Sequence, residues 1–193
     1  IATGAVTTLA GSAGSSGSTD STDGTGATAR FHEPNGITTD GTNLYVTDTF
    51  HERNSFGTIR TVATATGAVT TLAGGTAPGG STDGTGAAAR FRIPIGITTD
   101  GTNLYVTDTY NDTIRKVVIA TGAVTTLAGS AGSSGSTDST DGTGATAQFD
   151  FPFDITTDGT NLYVTDSWNR TIRQVVIATG AVTTLAGSAG SSG

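Results

Sequence analysis

An all-β fold of four-stranded antiparallel units, repeated in tandem, is what the sequence predicts, and three observations carry that prediction. The string GAVTTLAG begins at Gly4, Gly67, Gly122 and Gly180, and TDGTNLYVTD recurs with its Leu at Leu44, Leu104 and Leu162. In each copy an Asp-Gly pair, among the strongest short hairpin signals, stands between two strand-like runs. Thr, Val and Ile are frequent, helix formers are few, and 29 Gly supply tight turns.

The repeating unit is 58 residues long. The GAVTTLAG spacings of 63, 55 and 58 reduce to that length once two changes are recognised. The first copy carries five extra residues between Thr49 and Arg60, and the second is three shorter between Gly74 and Asp83. Residues 1–29 are identical to 119–147, and the first 17 of them reappear at 177–193, so the copies have barely diverged. The expected division is 1–11 as the outer strand of a preceding unit, 12–74, 75–129 and 130–187 as units one to three, and 188–193 as the start of another Gly/Ser-rich loop.

Within a unit the first strand is GITTD, Gly36 to Asp40, ended by the Asp-Gly-Thr-Asn turn at Asp40 to Asn43. LYVTD, Leu44 to Asp48, is the second, and TIRKVVI, Thr113 to Ile119, shows the third. A turn at Ala120 to Gly122 then leads into the fourth, AVTTLAG. Apolar and polar side chains alternate in Leu44-Tyr45-Val46-Thr47, as half-buried strands require. Short strands joined by tight turns make a meander, and a meander repeated at a fixed period makes propeller blades. Gly11 to Thr22 is too polar to pack a core of its own and is expected to be a loop.

The pattern F-x-x-P-x-G-I-x-x-D-G-x-N-L-Y-V-x-D-x-x-N-x-x-I-R at Phe91 to Arg115 resembles the NHL repeat, and V-T-T-L-A-G and D-G-x-G-A-x-A-R-F are similar to the flanks of long bacterial NHL-type arrays. The resemblance covers all three units. It implies a β-propeller, commonly six-bladed, with the first strand of each blade lining a central channel. Two residues depart from the pattern in unit three: Gln148 stands where units one and two have Arg30 and Arg90, and Asp154 where they have Gly36 and Gly96. Three blades are half of a six-bladed ring and leave two apolar faces to be covered. The expected partner is a second copy or the rest of a longer propeller chain.

Sixteen acidic and nine basic residues give a net charge of −7, which argues against a nucleic-acid partner. No apolar run reaches the ~20 residues of a membrane-spanning helix, so membrane insertion is not expected. With no Cys there is neither a disulfide framework nor a thiolate metal site. Ile1 is neither an initiator Met nor the start of a signal peptide, and the chain reads as a mature or excised segment. Abundant Thr, Ser and Gly with one Lys, Lys116, suggests the outside or surface of a prokaryotic cell.

In a meander the loop before strand one and the loop between strands two and three share a side, and the variable residues gather there. Before strand one lie His32-Glu33-Pro34-Asn35, Arg92-Ile93-Pro94-Ile95 and Asp150-Phe151-Pro152-Phe153. Between strands two and three lie Phe50-His51-Glu52-Arg53, Tyr110-Asn111-Asp112 and Trp168-Asn169-Arg170. Phe50, Tyr110 and Trp168 suit a platform for a sugar ring or a partner side chain. The alternative, that each ring packs over its own blade edge, stays open. The insertion around His51 to Gly57 is the leading place for a specific contact, and Asn35, Ile95, Phe153, Asn111 and Asn169 join it as candidates.

Asp48, Asp108 and Asp166 end the second strands, and Arg60, Arg115 and Arg173 follow the Ile of the third. A pair repeated in every unit reads as a structural ion pair, because an active site in a ring is usually single. Asp20 to Gly26 has a faint likeness to a calcium loop but lacks its spacing and terminal Glu. Catalytic motifs are missing: there is no G-x-S-x-G, H-E-x-x-H or Cys nucleophile, and His32 and His51 lie in loops of one unit. No cofactor, resident metal or catalytic residue is expected. The sequence thus favours a non-catalytic extracellular module that scaffolds or binds protein or glycan. A self-assembling structural protein is the alternative, and a channel-metal lyase or lactonase, a type found among relatives of this fold, the more distant one.

Overall fold

The computed structural model describes residues 4–12, 22–51, 55–75, 78–131 and 141–188. Among these residues, fifteen strands form three antiparallel sheets. The first holds β1 (Gly24–Thr25), β2 (Glu33–Thr39), β3 (Asn43–Phe50), β4 (Phe56–Ala63) and β5 (Ala68–Ala73). The second holds β6 (Gly84–Thr85), β7 (Pro94–Thr99), β8 (Asn103–Asp108), β9 (Thr113–Val118) and β10 (Ala123–Gly129). The third holds β11 (Gly142–Thr143), β12 (Pro152–Thr157), β13 (Asn161–Asp166), β14 (Thr171–Val176) and β15 (Ala181–Ala186). These are three blades of a β-propeller, each a meander whose inner strands, β2, β7 and β12, lie side by side.

The predicted four strands become five. In each blade a two-residue strand, reached before the inner strand in sequence, pairs with the outermost one: Gly24 opposes Val69, Gly84 opposes Val124 and Gly142 opposes Val182. A second correction concerns Ala5 to Gly11, expected as a strand, which is not in a ladder here. The Leu9 carbonyl nevertheless lies against Gly67 as the Leu72 carbonyl lies against Gly122 and the Leu127 carbonyl against Gly180.

The hairpin turns follow from local chemistry. Asp40 Oδ1 accepts the N–H groups of Thr42 at 2.8 Å and Asn43 at 2.7 Å, and the Tyr45 hydroxyl donates to Oδ2 at 2.7 Å. Asp100 and Asp158 repeat the arrangement. Backbone N–H bonds at Asn43 lead the effects that hold the Asp40 carboxyl well below its usual range, at about 2. Burial, reinforced by the hydrogen bond to Asp40, pushes the Tyr45 phenol up to about 12.

The core lies between blades. Tyr45, Ile59 and Ala73 of the first blade meet Phe91, Ile97, Leu104, Val106 and Val117 of the second. Tyr105, Ile114 and Ala128 of the second meet Phe149, Ile155, Leu162, Val164 and Val175 of the third in the same way. Alternation along each strand therefore feeds two different interfaces, which is why both sets of alternating positions carry apolar residues.

Candidate functional site

A buried arginine organises each blade. Arg115 donates to Asp108 Oδ2 at 2.7 Å and to Asp83 Oδ1 at 2.7 Å. Arg60 does the same with Asp48 at 3.1 Å and Asp23 at 2.8 Å, and Arg173 with Asp166 at 2.9 Å and Asp141 at 3.0 Å. Each guanidinium lies 5.2 to 5.3 Å from a phenyl centroid, those of Phe31, Phe91 and Phe149. The second oxygen of the inner carboxylate holds the loop before strand one: Asp48 accepts the His32 N–H, Asp108 that of Arg92 and Asp166 that of Asp150. The buried pairs thus set the shape of the variable face without being exposed on it.

On that face the two loops of each blade touch. The Tyr110 N–H donates to the Arg92 carbonyl, and the Trp168 N–H to that of Asp150, both at 3.1 Å. The rings then converge on one residue, Phe151. Trp168 stacks on it at 4.8 Å and 8°, Tyr110 meets it edge-on at 5.3 Å, and Phe153 lies 6.3 Å away. His51 of the first blade extends the row by an edge contact with Tyr110 at 6.4 Å, and the Arg92 guanidinium lies 5.8 Å from the Tyr110 centroid. Trp168 is 67% exposed, Phe153 46% and Tyr110 38%, so the row is open to solvent. Apolar rings left exposed in a cluster with charged neighbours have the composition of a binding surface.

Carboxylates flank the row. Asp112 Oδ1 accepts the Phe151 N–H at 2.9 Å and so ties the second blade to the third. Burial raises the Asp112 carboxyl, and the charges of Asp150 and Asp166 push it the same way. Asp150 is raised by burial and by Asp166. Non-glycine residues in the left-handed region, Ser55, Ile93, Asp112, Phe151 and Arg170, all belong to these two sets of loops. Strain of that kind concentrates where a loop's shape is used.

The predicted site residues separate into two groups. Tyr110, Trp168, Phe153 and His51 meet on the open face. Asn35 is exposed at its edge and donates to the Glu33 carbonyl and Thr49 Oγ1. Three candidates need correction. Phe50 is buried and stacked at 4.4 Å on both His32 and Phe56, so it packs over its own blade edge. Asn111 and Asn169 are buried and donate to Asp108 and Asp166 at 2.8 and 2.9 Å, so neither side chain faces a ligand. The Ile95 carbonyl accepts the Thr47 hydroxyl across the blade junction at 2.7 Å. Glu52 and Arg53 lie outside the described residues. His51 Nδ1 is paired with Glu33.

Sequence reading missed Phe151 as the centre of the row, although Phe149, Phe151 and Phe153 alternate visibly. It also missed Asp23, Asp83 and Asp141. The Asp23 carboxylate bonds Arg60 and the Thr71 N–H and hydroxyl.

No family model matches the chain. The human protein named NHL repeat-containing protein 2 is 31% identical over 171 residues, which are 81% of this chain and 22% of that protein. The chain therefore spans less than a quarter of that relative. A solved structure from Bacteroides thetaiotaomicron, of a protein of unknown function, is 27% identical with a TM-score of 0.58, covering 73% of this chain and 32% of the other. An auxiliary nutrient binding protein of the same organism has a TM-score of 0.60 at 18% identity, over 82% of this chain and 37% of its own.

Proposed function

We propose, for a chain that belongs to the NHL-repeat β-propeller family, that it works as a non-catalytic binding scaffold whose contact surface is the loop face around Phe151. The observation that carries the reading is the convergence of exposed Trp168, Phe153 and Tyr110 on that one ring, beside Asp112, Asp150 and Arg92. Flat rings accept the C–H face of a sugar or an apolar side chain, while the Asp150 carboxylate and the Arg92 guanidinium satisfy its polar groups and buried Asp112 holds the Phe151 loop in place. The partner is a protein or a glycan, met at the outside of a bacterial cell. The nutrient-binding neighbour has the same fold, which is consistent with a binding scaffold.

The test uses the single Trp of the chain. Because Trp168 is the only indole, its emission reports the platform directly during titration with a glycan panel and candidate surface proteins. The expected result is a saturable shift that Tyr110→Ala and Phe153→Ala weaken. A partner that binds Trp168→Ala and Tyr110→Ala as well as the parent chain would move the surface elsewhere.

A second reading, association of copies through blade faces, is favoured by a separate observation. Ile37 is 61% exposed on the first blade, whereas its equivalents Ile97 and Ile155 are buried between blades.

A further inference from the structure

This inference rests on the second reading. Both internal junctions join the same two surfaces, a trailing face (Tyr45, Ile59 and Ala73, or Tyr105, Ile114 and Ala128) and a leading face (Ile97, Leu104, Val106 and Val117, or their third-blade equivalents). The first blade presents a leading face that is only partly covered: Ile37 is exposed, while Val46 and Val62 beside it are buried against a cluster that includes Ala10. The third presents an open trailing face, with Ile172 and Leu185 exposed. The two surfaces are the two halves of the internal junction, so the occupant that fits the third blade is the leading face of a second copy.

At the inner edge a glycine sets how closely blades approach. A Cβ on Gly36 would lie 2.3 Å from the Ile95 carbonyl oxygen, and one on Gly96 would lie 2.8 Å from that of Phe153. The Thr47 and Thr107 hydroxyls donate to those same carbonyls at 2.7 and 3.0 Å, which fixes the spacing. Asp154 holds the equivalent position in the third blade, exposed, with Oδ1 accepting its neighbour Ile155's N–H at 2.9 Å. A docked leading face would bring the Asn35 carbonyl against it.

We propose that Asp154 decides whether the third blade accepts a further blade: its β-carbon holds the leading face of a second copy off the spacing used at both internal junctions. On the receiving side, Thr8 to Ala10 already rest over the first blade's leading face. They belong to GAVTTLAG at 4–11, identical to 180–187, so a docking copy offers Leu185 where Leu9 sits and the exchange conserves the chemistry.

Sedimentation of the 193-residue chain at micromolar and millimolar concentrations, beside Asp154→Gly and Asp154→Ala, tests this. Unchanged circular dichroism and melting of the monomers serve as the folding control. Asp154→Gly is expected to associate at least about tenfold more tightly than the parent, and Asp154→Ala no better than the parent. Equal association of the parent and Asp154→Gly overturns the role of Asp154 and leaves face-to-face association standing. An Ala variant as adhesive as the Gly variant overturns it too, because the β-carbon is then harmless. No association of any variant, even at millimolar concentration, overturns the reading on which the inference rests.

Discussion

Arg115 and Asp83, 32 residues apart in the chain, meet at 2.7 Å, and their contact joins the loop that precedes a blade to that blade's third strand. The same guanidinium holds the fully buried Asp108. Removing one partner of a buried pair strands the other charge, so Arg115→Ala is expected to cost about 3–5 kcal/mol in urea unfolding. Asp83 is half exposed, and Asp83→Ala should cost clearly less, about 1 kcal/mol. Equal losses would show that the two carboxylates are equivalent.

The turn hydrogen bond between Tyr45 and Asp40 predicts a melting temperature that falls at both pH extremes. Asp40 titrates lower when folded, so its contribution is present above about pH 4 and is lost as pH falls towards 2. Tyr45 titrates higher when folded, so its contribution is full below about pH 10 and is lost as pH rises through 12. Tyr45→Phe should flatten its share of the alkaline limb and remove about 1 kcal/mol at neutral pH. Thermal melts across that range read both effects.

Phe151→Ala should release Trp168 from its stack. The expected signature is red-shifted emission and lower fluorescence anisotropy of the single Trp, with a stability loss of about 2–4 kcal/mol from the half-buried ring. Emission identical to the parent would mean that Trp168 is held by something other than Phe151.

Gly96→Ala places a β-carbon 2.8 Å from the Phe153 carbonyl, inside a formed junction. The junction must open to accommodate it, and a loss of about 1–3 kcal/mol is expected in chemical denaturation. Asp154→Gly, at the same position of the open third blade, should leave monomer stability within about 0.5 kcal/mol.

The strands and hairpins were legible because their determinants are local. Asp40 satisfies Thr42 and Asn43 within its own turn, and Asp-Gly announces that turn in the sequence. Repetition made Asp48 with Arg60 readable as well, since both recur at fixed places. The fifth strands were not legible. Gly24–Thr25 and Gly84–Thr85 are too short to show a period, and their partners stand 38 to 45 residues away. Asn111 and Asn169 looked like surface residues because sequence adjacency to Tyr110 and Trp168 does not reveal that a tight loop turns alternate side chains inward. Tyr110 reaches Phe151 only when blades two and three are placed side by side, so repeat-by-repeat reading finds that member of the aromatic row but not its contact with the third-blade rings.

The early position of the fifth strand also orders events on the ribosome. Asp83 and Gly84–Thr85 are synthesised before the rest of their blade, yet Asp83 binds Thr126, 43 residues later. At ~5–20 residues per second the loop waits roughly 2–9 s for that partner. A truncated nascent blade keeps this seam open, and only a completed one zips shut. Each seam therefore closes only on residues from both ends of its own blade.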